Sequence, residues 1–210
     1  PARESVNHLP AFEVVGEGLF LNFGYEKIIA WLNSNNKFKD STSIIIKNAQ
    51  SDYTDASSDK SKLHPGYRLI HSFSHALMRQ LSIECGYGLT EISERIYFSE
   101  KYQMAGLLIY TASSDAEGSL GGLVRMIKPQ HFESLLRNAI ENSRTCSNDP
   151  ICSESKGQGH SGLNLAACHA CSMVPDLACS TLPKNIFLDR QTLIGQEANK
   201  VGYFFDIELD

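Results

Sequence analysis

The 210-residue chain has no run of about 18 apolar residues, the minimum for a helix that spans a bilayer. Its first residues, Pro1-Ala2-Arg3-Glu4-Ser5, lack the apolar stretch of a secretory signal. They also lack a starting Met, so the sequence is expected to be a piece of something longer. No G-x4-G-K-[ST] phosphate loop, no G-x-S-x-G elbow and no H-E-x-x-H metalloprotease helix occurs. An ATP motor or a hydrolase of those types therefore has no motif to stand on. Positive charge is scarce too: the formal net charge is -5, which excludes nucleic-acid binding by bulk charge and leaves only a local basic face. What is present is globular material, 42% hydrophobic, enough for a real core.

Cysteine is the unevenly spent residue. Of six, Cys85 stands alone, and Cys146, Cys152, Cys168, Cys171 and Cys179 share the stretch 146–179. A disulfide scaffold would spread an even set along a secreted chain. Clustering without a signal peptide points instead to a reducing compartment, the cytoplasm, and to metal. Cys168-His169-Ala170-Cys171 is a C-x2-C knuckle, which sets two thiolates on one turn. Zinc takes four such ligands in a tetrahedron. Cys168, Cys171 and Cys179 supply three. Cys152, the nearer, is favoured as the fourth over Cys146, with His160 and His169 as competitors. Four thiolates would close the coordination sphere, making Zn2+ structural rather than catalytic.

The remaining pattern reads as α/β or α+β, a mixed sheet flanked by helices with a small C-terminal zinc-binding lobe. Residues 11–23 read as a strand pair or bulged strand, and Tyr25 to Asn33 as a short helix. Residues 33–62, rich in Asn, Ser, Asp and Lys, are expected to be a mobile loop. Leu69, Phe73, Leu77 and Leu81 recur at helical spacing, which predicts a helix over 66–84 stopped by Gly86. A second short helix over 89–95 and strands at 96–98 and 105–111 follow. Pro129 can open a helix with Phe132, Leu135, Leu136, Ala139 and Ile140 on one face. The expected organisation is a core over 1–140 with the cysteine-rich lobe, 141–210, packed on it.

Several other constellations carry potential chemistry. His71 and His75 emerge on one face of the predicted helix, a spacing that can bind metal. A catalytic version would add a carboxylate such as Asp115 or Glu117; packing at an interdomain surface is the plainer reading. Ser119, Gly121 and Gly122 could present amides to a phosphate, though glycines permitting close approach are commoner. Asp189 before Arg190 reads as a helix N-cap. Lys37, Lys39, Lys47, Lys60 and Lys62, with Arg68 beyond, are interleaved with Asp40, Asp52, Asp55 and Asp59 and read as a solvated face.

Taken together, certain strings resemble a known family. They are His71-Ser72-Phe73-Ser74-His75-Ala76-Leu77-Met78-Arg79, Glu94-Arg95-Ile96-Tyr97, Gly106-Leu107-Leu108-Ile109-Tyr110-Thr111 and Glu117-Gly118-Ser119-Leu120-Gly121-Gly122-Leu123-Val124. Cys146-x2-Asp149-Pro150-x-Cys152, Ala167-Cys168-His169-Ala170-Cys171 and Leu188-Asp189-Arg190 complete the set. The chain is similar, over roughly residues 10–195, to the DrmB family of the bacterial DISARM anti-phage system. It is similar also to the zinc-binding module that ends MrfA-type repair helicases. The resemblance implies a non-catalytic accessory domain in phage defence or DNA repair, with zinc held by the cysteine cluster. It implies a helicase subunit or helicase domain as partner, and DNA engaged through that complex, with no membrane. The competing expectation is a metal-dependent nuclease or hydrolase using His71 and His75.

Overall fold

The structure, a computed structural model, describes residues 16–50, 60–111, 122–126, 128–195 and 201–204. Its centre is a helix, α3, Pro65–Cys85. The sequence starts it with Pro65, whose fixed φ suits the first helical turn, and with His64, whose Nδ1 accepts the Gly66 amide at 3.0 Å. Gly86 ends it at φ +75°, a left-handed position where a side chain is strained. Gly66 cannot carry a side chain for another reason. A Cβ there would lie 2.8 Å from the Phe98 ring.

Around α3 the other elements are laid in layers. Strand β1, Gly18–Asn22, β2, Ile92–Ser99, and β3, Met104–Thr111, form an antiparallel sheet in the order β1-β3-β2. Alternation along β2 puts Ile92, Glu94, Ile96 and Phe98 on one face. Glu94 and Phe98 meet α3 from there, through its histidines and Gly66. Helices α1, Tyr25–Ser34, and α5, Pro129–Asn142, also flank α3, and the short α4, Gly122–Met126, lies beside α5. The last, α6, is one turn at Gln191–Ile194.

The α+β expectation is met, with both described strand pairings antiparallel. The helix over 66–84, its Gly86 stop and the helix opened by Pro129 are present. Two local expectations are corrected. Residues 89–95 do not form a helix, because β2 begins at Ile92, where Ile92, Ser93 and Glu94 are all buried under α3 and the C-terminal segment. Within 33–62, helix α2 runs Lys37–Gln50. Phe38, Ile45 and Ala49 are buried at helical spacing, and Ile45 and Ala49 pack with Leu163, Leu165, Ile186 and Phe187. Residues 51–59 lie outside the described residues. The main core joins Leu69, Ile70, Phe73 and Leu77 to Val174, Ala178 and Leu193, so buried side chains from both sides of position 140 share it.

Candidate metal centre

Residues 143–190 have little regular structure and are held by side chains instead. Arg190, buried, donates from Nη1 to the Ser143 and Arg144 carbonyls, both at 3.0 Å, and from Nη2 to Asp149 Oδ1. Asp149 in turn accepts the Cys146 amide at 3.0 Å and the Ser153 amide at 3.1 Å. This fixes the turn from Cys146 to Cys152. On the other side Arg79 of α3 donates to the Ala170 carbonyl at 2.8 Å and the Met173 carbonyl at 3.2 Å, seating the Cys168–Cys171 knuckle on the helix.

These two clamps bring four sulfurs together. Cys146, Cys152, Cys168 and Cys171 have their Sγ atoms all within 4.8 Å of one another. Cys146–Cys168 measures 3.6 Å, and Cys152–Cys171 and Cys168–Cys171 both measure 3.8 Å. Four sulfurs about 2.3 Å from a central zinc in a tetrahedron stand about 3.8 Å apart, so the set fits that ion. The donors around it fit thiolates as well. The Asn148 amide points at Cys146 Sγ and Asn148 Nδ2 at Cys168 Sγ, each at 3.4 Å. The Cys168 amide approaches Cys171 Sγ at 3.4 Å. Burial works against the charge on Cys168, but the Asn148 amide and neighbouring backbone donors outweigh it and bring its thiol down to about 6. For Cys146 and Cys152 burial prevails and pushes the thiols up. A divalent cation would supply the counter-charge that lets all four ionise together.

Of the five cysteines marked in the sequence, the structure thus gathers four, and both Cys146 and Cys152 are among them. Cys179 stands elsewhere. It is buried in a second group with His71, His75 and Glu94, whose ligand atoms also lie within 4.8 Å of one another. His160 and His169 are in neither group. Residues 112–121, which include Asp115, Glu117, Ser119 and Gly121, lie outside the described residues. Sequence reasoning missed Glu94 as a site residue. Its signals were its place in the string Glu94-Arg95-Ile96-Tyr97 and its being the one carboxylate of β2. Arg68, read with the lysines as solvated, is instead buried and donates to the Phe38 carbonyl, Ser41 and Thr42.

Residues 73–172 match the family described as MZB, the MrfA Zn-binding domain. All four clustered cysteines fall inside the matched segment, and Cys179 and His71 fall outside it. The chain is also 38% identical over 203 residues to the DISARM protein DrmB of Bacillus paralicheniformis, covering 95% of this chain. Over that span the chain is similar to DrmB. It spans about a third of that relative, 35% of its length. The zinc-binding match is central, starting inside α3, rather than confined to the C-terminal lobe. None of the described helices is long and apolar enough to cross a membrane.

Proposed function

We propose that this chain is a zinc-stabilised accessory domain of a cytoplasmic phage-defence protein, docking to a helicase and helping it engage DNA. The observation that carries the reading is the four-sulfur cluster inside the MrfA Zn-binding match, in a chain similar to DISARM protein DrmB. Bound there, zinc would cross-link the turn at 146–152 to the knuckle at 168–171. Four protein thiolates would leave it no open position for a substrate, so its part would be structural. Asp149 and Arg190 hold the first turn and Arg79 holds the second, which makes the cluster a fastener of this face onto α3. Catalysis by His71 and His75 is no part of the proposal. Both side chains are 0% exposed, which leaves no surface for a scissile phosphate to meet.

The test is reconstitution with a candidate partner helicase. The zinc-loaded chain should co-elute with the helicase and strengthen its DNA binding in a salt-dependent way. Failure to associate, or nuclease activity of the isolated metal-replete chain that His71→Ala abolishes, would overturn the reading.

A further inference from the structure

The second buried group calls for its own explanation. His71 and His75 lie one turn apart on α3, Glu94 comes from β2, and Cys179 from the segment before α6. His71 Nε2 is 3.2 Å from Glu94 Oε1 and 3.4 Å from Cys179 Sγ, and His75 Nε2 is 3.5 Å from Glu94 Oε1. Donors about 2.0–2.3 Å from a tetrahedral ion stand about 3.3–3.8 Å apart, so these spacings suit a shared cation.

The hydrogen bonding points the same way. His75 Nδ1 lies 2.8 Å from the Ser172 carbonyl, which can only accept, so the proton is on Nδ1. With no proton on Nε2, the ring aims that lone pair at the group, the arrangement in which a carbonyl orients a metal-binding histidine. That Nε2 has no hydrogen-bond partner, and neither has Glu94 Oε2. Buried acceptors left without donors are costly unless something positive lies between them. Cys179 Sγ receives the Asn185 amide at 3.4 Å, and Glu94 Oε1 receives the Ser180 amide at 3.2 Å, so both anionic ligands are oriented from behind. Two neutral imidazoles, one carboxylate and one thiolate also balance a divalent charge.

We infer that His71, His75, Glu94 and Cys179 form a second, closed metal site for a borderline divalent ion, zinc above all. Mixed N, O and S ligands in a four-coordinate set select that class. The site is buried on every side and ties α3, β2 and the 172–190 segment together. Its ligands come from inside the zinc-binding match (His75, Glu94) and from either side of it (His71, Cys179), so the ion would pin the flanking chain to the matched domain.

This inference is independent of the four-cysteine site, and metal counting separates the two. The chain is purified without added metal, its zinc is measured by elemental analysis, and Co2+ is then exchanged in. The expected result is two zinc per chain. Cys179→Ala and Glu94→Gln should each retain one, with Co2+ spectra showing intense four-thiolate charge-transfer bands. Cys171→Ser should also retain one, with the weaker bands of a single thiolate. One zinc per wild-type chain, unchanged in Cys179→Ala and lost in Cys171→Ser, overturns the second site alone. One zinc lost in Cys179→Ala and kept in Cys171→Ser overturns the four-cysteine reading instead. Because the wild-type count needs no substitution, a variant that fails to fold leaves the test intact.

Discussion

Arg68 is 0% exposed, and its guanidinium is the largest fully buried side chain among the described residues. Burial brings its pKa down to about 10, against the opposing pull of Asp189. One nitrogen, Nη2, serves the Phe38 carbonyl, Ser41 and Thr42, so this single side chain fastens the start of α2 to α3. Hydrogen bonds from a charged group contribute about 1.5–3 kcal/mol. Arg68→Met is expected to lose stability on that scale in urea unfolding, since the Phe38 carbonyl, Ser41 and Thr42 would lose their donor. A loss below about 1 kcal/mol would show that these bonds do not fasten α2. Among the proposed metal ligands the sharpest residue-scale prediction concerns Cys171. Metal binding and folding are linked in small zinc sites, so Cys171→Ser should release that zinc and markedly lower the melting temperature. A variant that melts like the parent with its metal retained would refute the assignment.

The helices differ in how openly the sequence announced them. Helix α3 was legible because Pro65, the stripe Leu69-Phe73-Leu77-Leu81 and Gly86 each carry an independent local signal. Gly86 has open space around its Cβ position, so Gly86→Ala meets no clash and costs only the left-handed strain, about 1–2 kcal/mol. Thermal unfolding should show that loss, and Gly86→Asn should recover part of it. Helix α2 was hidden because its surface is Lys, Asp, Ser and Asn, and Ile45 and Ala49 pack with positions more than a hundred residues away. Ile45 touches Leu163, Leu165 or Phe187 only once the chain has folded back, and no local pattern encodes that. Ile45→Ala is expected to cost about 2–5 kcal/mol. It should also raise amide exchange in α2 ahead of α3; uniform exchange would contradict a separate packing unit. The stretch 89–95 was misread for a similar reason. Its buried Ser93 and Glu94 look like helix-surface residues until the Ala178 and Leu177 carbonyls, which accept Glu94 N and Ser93 Oγ, are in view.

At the scale of the whole molecule, the cysteine count pointed to a metal without saying which of the five would hold it. Cys168 and Cys171 were readable from their spacing. Choosing among Cys146, Cys152 and Cys179 required knowing that Arg190 and Asp149 hold one turn against the knuckle, while Cys179 is drawn under α3 beside His71. The result is a scaffold in which one helix is overlain by two side-chain clusters. One is made wholly of cysteines nearer the surface, and the other is mixed and sunk in the core. Such an arrangement fits the accessory role proposed above. The central claim, that zinc sits among Cys146, Cys152, Cys168 and Cys171, is tested most directly by anomalous diffraction at the zinc edge on crystals grown without added metal. The account predicts an anomalous peak at the centroid of those four sulfurs, about 2.3 Å from each. No peak there, or a zinc sharing Cys179 with the Cys168–Cys171 knuckle, would contradict it.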